Sequence, residues 1–462
     1  MQRSIIANLV KWKNAPEHLP ILLRGARQIG KTTAIQQFAN ANFSHFVNIN
    51  FELDPDYADC FQTFKPQEII NQILLKQNTP IIPGKTLLFL DEIQSCPRAI
   101  MALRYFKEQV PELHVIGAGS LLEFALNDDK FHMPVGRIQF LYMQPLSFYE
   151  YLAAKEKQTL LSHINNATPA KPPSDVAHQE LLKLVKEYLV IGGMPAVLDH
   201  YIKHQDFNAC QNLQTNLLAT YRNDFGKYAK LTKHKYLQQV FMKAPNLIGK
   251  QIKYTNVDAE SKASDIKEAI ILLSNAGLLY KVSASNCSGL PLNALINEKK
   301  FKLLFVDIGL MNRAGKINLS NLLLQDLLLI NQGAITEQFV GQELLAYQNL
   351  EEEPELYFWE RDKRGSQAEV DYVVNLEGSI VPIEVKSGQI GRLRSLKQFM
   401  SEKNAPIGIQ ISQRSLCIQD NILTIPLYMI GELKRLYSCV TAITPSPTVT
   451  SRTDLYEPSR YN

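Results

Sequence analysis

The sequence lacks the marks of a secreted, membrane-bound or metal-stapled protein. Its six cysteines, Cys60, Cys96, Cys210, Cys287, Cys417 and Cys439, are scattered, with no C-x-x-C pair. That spacing argues against a disulfide framework or a zinc ribbon and points to reduced thiols in a cytoplasm. No uncharged apolar run reaches the roughly 18 residues of a membrane helix, so no span is expected. The first residues, MQRSIIANLVKWKNAPEH, lack the apolar core of a signal peptide and have the pattern of an amphipathic helix. No internal repeat is visible. A charge excess is missing too: 49 basic and 45 acidic residues leave a net +4. Any nucleic-acid contact must therefore come from local patches. Apolar residues make up 45% of 462, enough for packed cores. The length suggests roughly three domains.

The stretch from Leu19 to Asn40, LPILLRGARQIGKTTAIQQFAN, dominates what is there. An apolar run at Ile21, Leu22 and Leu23 predicts a buried strand. It breaks into Gly25-Ala26-Arg27-Gln28-Ile29-Gly30-Lys31-Thr32 and continues, from Thr33, as a helical pattern. The octet matches G-x-x-x-x-G-K-[ST] without a departure. Gly25 and Gly30 let the backbone curl so that successive N–H groups face phosphate oxygens. Lys31 reaches the β- and γ-phosphates, and the Thr32 hydroxyl can ligate Mg²⁺. The following helix brings its positive end under the same anion. ATP and Mg²⁺ are the expected ligands.

Residues 1–155 alternate strand-like and helix-like patterns, which implies an α/β core with a mainly parallel sheet. Phe46 to Phe51 predicts a second strand. The run TLLFLDE from Thr86 ends in two carboxylates. At the carboxyl edge of a parallel sheet, such acids sit beside the phosphate loop. Asp91 would hold the magnesium through water, and Glu92 would orient or deprotonate the attacking water. Leu113 to Gly119 predicts another strand, ending at Ser120, which would touch the γ-phosphate or cap the next helix, LLEFALN. Ile138 to Met143 predicts a fifth. Arg137 just before it would either reach a neighbouring subunit's nucleotide, which implies a homo-oligomer, or form a surface salt bridge.

These segments (GARQIGKTT, LFLDEIQ, GAGSLLE, Gly136-Arg137 and PLSFYEY) resemble the AAA-type ATPases of bacteria and archaea that carry a C-terminal domain of unknown function. Later matches are Gly192-Gly193-Met194-Pro195, Tyr221-Arg222-Asn223-Asp224, Phe301-Lys302-Leu303, Asp307-Ile308-Gly309-Leu310, Glu369-Val370-Asp371 and Glu384-Val385-Lys386. The resemblance covers nearly the whole chain. It implies a five-stranded P-loop ATPase core, a helical lid, a winged helix and a nuclease-like terminal domain. Ser120 departs from the family, which more often places Asn or Thr there.

Gln158 to Ser174, rich in Asn, Ala, Pro and Ser, predicts an exposed loop. Glu180 to Asn223 predicts the lid, with 156–232 as its domain. Arg222 would sense nucleotide or pair on the surface. His200 and His204 share a helix face without a third ligand, as in a solvated face. Residues 233–310 predict two helices and a two-stranded wing, the winged-helix variant of helix-turn-helix. Lys230, Lys233, Lys235, Lys243, Lys250, Lys253, Lys262 and Lys267 make this segment basic. DNA backbone is the expected partner, and a protein-packing role is the alternative.

Residues 320–440 predict a restriction-endonuclease-like α/β domain of the PD-(D/E)xK type. Asp371 lies in one strand and Glu384 in the next, after a turn at Gly378. Glu384 and Lys386 are two apart and so share a face. Two carboxylates and a lysine on one face suit Mg²⁺ and water beside a phosphodiester, with Glu337 from the preceding helix completing the metal shell. An E-x-K on a solvent-facing strand is the plainer alternative. Residues 441–462 read as a disordered tail. The expected function is ATPase activity coupled to DNA binding or processing. A nucleotide switch that binds DNA or protein without cutting is the alternative.

Overall fold

The computed structural model describes residues 1–120, 122, 136–228, 233–258, 260–317, 332–361, 368–387 and 393–442. Most of the segment LLEFALN, Pro134, Val135, Lys230 and the tail from 443 lie outside them.

The chain begins with α1 (Ile5–Asn14), β1 (Ile21–Arg24), α2 (Lys31–Asn42), β2 (His45–Asn50), α3 (Pro66–Gln77), β3 (Thr86–Asp91), α4 (Pro97–Gln109), β4 (His114–Ala118) and β5 (Gln139–Tyr142). The five strands form one parallel sheet in the order β2-β3-β4-β1-β5. Parallel strands covered on both faces are apolar throughout, and every residue of β3 is buried. Successive residues serve opposite faces. Ile21 and Leu23 pack with α1 and α2, whereas Leu22 packs with α3 and α4.

Five helices follow: α5 (Phe148–Ala154), α6 (Gln158–Asn166), α7 (Asp175–Ile191), α8 (Pro195–His204) and α9 (Phe207–Asn223). The loop expected over 158–174 is shortened by α6. Its Leu160, Leu161 and Ile164 pack into the main core, and that apolar spacing outweighs the polar composition around it.

The remainder comprises α10 (His234–Lys243), α11 (Ala263–Asn275), β6 (Leu279–Ser285), β7 (Ile296–Phe305), α12 (Ile308–Ala314), α13 (Gln332–Ala346), β8 (Leu356–Glu360), β9 (Glu369–Leu376), β10 (Ser379–Val385), α14 (Arg394–Lys403), β11 (Gly408–Ser412), β12 (Cys417–Gln419), β13 (Ile422–Pro426) and α15 (Leu433–Thr441). The hairpin β6–β7, expected as a two-stranded wing, is the edge of an eight-stranded sheet ordered β12-β13-β11-β10-β9-β8-β6-β7. β6 pairs in parallel with β8 through Val282, Ser283 and Ala284. The boundary expected between 310 and 320 therefore falls between elements of one continuous sheet.

Helix α13 joins the two halves. Its Glu337, Gln338, Gln342 and Glu343 are all buried. The Gln338 amide donates to the Phe305 carbonyl and accepts from the Phe305 N–H, both at 2.8 Å. Gln342 accepts from the Ile308 N–H at 2.8 Å and donates to the Tyr188 hydroxyl at 3.0 Å. Glu343 accepts from the Phe148 N–H of α5 at 3.1 Å. Buried polar groups fully partnered in this way fix one arrangement of the elements they join.

Candidate functional site

The phosphate loop runs from the end of β1 into α2. Gly25 has φ +143°, and a Cβ there would run into the Met143 carbonyl oxygen. Only glycine fits such a position. Ala26 and Ile29 are buried and anchor the loop, while Gln28 at its crest has φ +63°. Thr32 and Thr33 are exposed in the first turn of α2. Lys31 is buried, and its Nζ donates to the carbonyls of Gly25 at 2.9 Å and Ala26 at 2.8 Å. Burial lowers its pKa to about 8, only partly offset by Glu92 and Asp91. A cation held by backbone dipoles alone is well disposed towards an anion.

Asp91 closes β3 beside this loop. Its Oδ2 accepts from the Thr32 hydroxyl at 2.9 Å and from the Asn50 amide at 3.2 Å. Burial raises its pKa, opposed by the Thr32 hydrogen bond. Glu92 follows with φ +48°, a strained backbone for a non-glycine residue, and its carboxylate accepts from Gln94 at 2.6 Å. Lysine, threonine hydroxyl and two carboxylates thus gather at the carboxyl edges of β1 and β3. That donor set fits a nucleotide's phosphates and a magnesium ion.

Sequence reasoning missed how other elements hold the loop. Arg3 of the N-terminal segment donates to the Ile29 carbonyl at 2.7 Å and the Gln144 carbonyl at 2.6 Å, and pairs with Glu150 at 3.0 Å. Arg27, inside the octet, pairs with Asp224 at 2.7 Å and Glu52 at 3.0 Å. The Tyr221 hydroxyl donates to the Arg27 carbonyl at 2.8 Å. The end of α9 therefore grips the loop through residues flanking Arg222, while Arg222 itself is exposed beside the Met242 sulfur, 3.9 Å away. These partners lie 25 to 197 residues apart, and no local pattern announces them.

Ser120 is buried and lines a cavity of about 280 Å³ with Gly25, Gly119, Tyr142, Gln144 and Gly277. Arg137 lies at the surface and pairs with Glu108 at 3.2 Å. The His200 and His204 rings lie 4.5 Å apart. Among the described residues, no three His, Cys, Asp or Glu side chains are grouped to hold a metal.

The terminal sheet carries a second cluster. In the antiparallel β9–β10 register Tyr372 faces Ile383, so the next rung sets Asp371 opposite Glu384 on one face. Asp371 Oδ2 accepts from the Val385 N–H at 2.8 Å. The Lys386 ammonium contacts Glu384 at 2.5 Å. Glu337 arrives from α13, but its partner is not a site for a metal: its Oε1 lies 2.8 Å from the Nζ of Lys302 on β7. Lys302 also lies 2.5 Å from Glu369 and 3.7 Å from Asp371. This corrects the expectation that Glu337 completes a metal shell with Asp371 and Glu384. The ammonium sits among the carboxylates that a divalent ion would need, so the set as arranged does not fit Mg²⁺. Burial opposes the charge on Lys302, but Glu337, Asp371 and Glu369 more than offset it and raise its pKa. Burial, reinforced by Asp371, pushes Glu337 and Glu384 each up to about 7. Phe301-Lys302-Leu303 was visible as a motif; its link to Asp371 was not.

Residues 17–152 match the family model described as AAA domain. The core is thus similar to an AAA-type P-loop ATPase domain. Residues 182–321 and 332–430 match two models described as domains of unknown function, DUF8612 and DUF4143. No curated protein matches the chain. Among solved structures, the Orc1 protein of Aeropyrum pernix in complex with DNA is similar at 10% identity, over 68% of this chain and 91% of that one, with a TM-score of 0.28. RuvB of Thermotoga maritima is similar at 17% identity, over 60% of this chain and 89% of that one, with a TM-score of 0.27. No helix among the described residues is long and apolar enough to cross a membrane.

Proposed function

We propose that this protein is a Mg²⁺-dependent ATPase that couples nucleotide turnover to DNA binding. The observation that carries the reading is the meeting of Lys31, Thr32, Asp91 and Glu92 at one sheet edge. The backbone from Gly25 to Thr33 would cradle the phosphates, with Ser120 lining the cavity beside Gly25. Thr32 and Asp91 would hold Mg²⁺, and Glu92 would take the proton of the attacking water. Arg137 would act on the nucleotide of a neighbouring copy, for which its surface position leaves it room. DNA binding is supported by the exposed Lys235, Lys243, Lys250, Lys253, Lys262 and Lys267 around α10 and α11, beside a hairpin whose tip is exposed. ATP turnover measured with and without duplex DNA tests the coupling. Turnover indifferent to DNA would overturn it.

For the terminal domain, the cutting mode would rest on Asp371, Glu384 and Lys386 with Mg²⁺. The ion pairs of Lys302 favour the other mode, a nuclease-like fold that binds DNA without cleaving it. The full chain incubated with duplex DNA, ATP and Mg²⁺ or Mn²⁺ should leave the DNA intact. Cleavage that disappears in Lys386→Ala would reverse that choice.

A further inference from the structure

We infer that Lys302 is the resident cation of the terminal carboxylate site, standing in the place of a divalent metal. Its side chain is 2% exposed and reaches three carboxylates at 2.8, 2.5 and 3.7 Å. Those carboxylates come from two elements, α13 and β9, and the lysine comes from a third, β7. A solvent-facing ion pair would not be assembled this way. Buried carboxylates need a positive partner, and this fold provides one from its own chain.

The remaining oxygens are mostly taken as well. Asp371 Oδ2 faces the Val385 N–H, and Glu384 Oε1 faces Lys386. Among the described residues only Glu384 Oε2 in this cluster stands as a buried oxygen without a hydrogen-bond partner. Mg²⁺ demands near-octahedral oxygen ligation. A fixed ammonium already stands among these oxygens, and it repels a divalent ion at the distance where it would sit. The position of Lys302 is set by the pairing of β7 with β6 and of β6 with β8, so the sheet itself holds the counter-ion in place. The site thus carries its own buried cation, fixed among three carboxylates by the sheet.

This inference rests on the non-cleaving reading of the terminal domain and on nothing in the ATPase reading. Its test uses the full chain without nucleotide, titrated with Mn²⁺ and followed by electron paramagnetic resonance of the free ion. The wild type and Asp371→Asn should bind Mn²⁺ alike. Lys302→Met, which keeps the stem and removes the charge, should gain one site per chain at least tenfold tighter than any in the wild type. That site should vanish in the Lys302→Met, Asp371→Asn double variant. A wild-type Mn²⁺ site lost in Asp371→Asn would overturn the inference, as would a folded Lys302→Met that gains no site. Should Lys302→Met fail to fold, the wild type against Asp371→Asn decides alone. DNA binding measured in chelator reports separately on the parent reading, because a protein that fails to bind DNA can still pass or fail the Mn²⁺ titration.

Discussion

Two buried lysines, Lys31 and Lys302, occupy the two halves of the molecule and face opposite surroundings. Lys31 is held by backbone carbonyls, and burial pulls its pKa down to about 8. Lys302 is clasped by carboxylates that raise its pKa despite the same burial. Burial alone therefore does not decide what a buried cation is for; its partners do. A lysine whose hydrogen bonds all go to backbone carbonyls has electrostatic attraction left for an incoming anion. A lysine already matched by carboxylates has spent that attraction within the fold and acts as architecture.

Variants at each end sharpen this contrast. Lys302→Ala leaves Glu337, Asp371 and Glu369 without their shared cation and should destabilise the fold by about 3–5 kcal/mol, measured by denaturant unfolding. Lys31→Ala should leave the unfolding midpoint near that of the wild type, while ATP turnover falls on the order of 10²–10³-fold. If the two variants exchange these outcomes, the contrast is wrong. Next is Glu92→Gln, which keeps size and hydrogen bonding but accepts no proton. ATP should still bind, and hydrolysis should drop by roughly 10²-fold or more. Normal hydrolysis would move the base to Asp91 or elsewhere.

Glu343 offers a pH test without a lysine. Burial pushes its carboxyl up to about 8. The folded state therefore holds a proton that the unfolded chain, with an ordinary pKa of about 4.3, releases. Stability from this group is complete below the unfolded value and is lost as pH rises towards and through about 8. Melts of the wild type should weaken between mild acid and mild base, by at most about 1.4 kcal/mol per pH unit from this carboxyl. Glu343→Gln should flatten that slope; an unchanged slope would assign it to other groups. The smallest effect is expected at Gly277, with φ +69°, where a Cβ would lie 3.1 Å from the Ala26 nitrogen. Gly277→Ala should cost roughly 1 kcal/mol in stability and weaken nucleotide binding several-fold, because the strain falls on the phosphate loop. Equal nucleotide affinity would show that the loop yields freely there.

The sequence made the first half largely legible. An octet with fixed spacing and strands ending in acids are local signals, and the strands over 45–50, 86–91, 114–118 and 139–142 fall where the apolar runs placed them. Convergence of Asp371 with Glu384 was legible for the same reason, since a hairpin's register follows from its turn. Lys302 was not, because its reach to Asp371 depends on β6 lying between β7 and β8, a choice of sheet edge that no periodicity encodes. Helix α6 was hidden by polar composition. The hold of Arg3 on Glu150 spans 147 positions, beyond any local pattern.

The continuity of the eight-stranded sheet also sets where this polypeptide tolerates excision. A fragment cut at 320 to free the terminal part would leave behind β6, β7 and Lys302. It would bare the β8 edge, which then offers unpaired backbone groups to any passing strand. It would also carry Glu337, Glu369, Asp371 and Glu384 with Lys386 as the cluster's remaining lysine. Self-association of such a fragment would report on the missing strands, not on its behaviour within the whole chain. A cut that respects the sheet must fall before Leu279, and there it meets Gly277 pressed against the phosphate loop. The two halves of the chain therefore share one sheet and cannot be cut apart without breaking it.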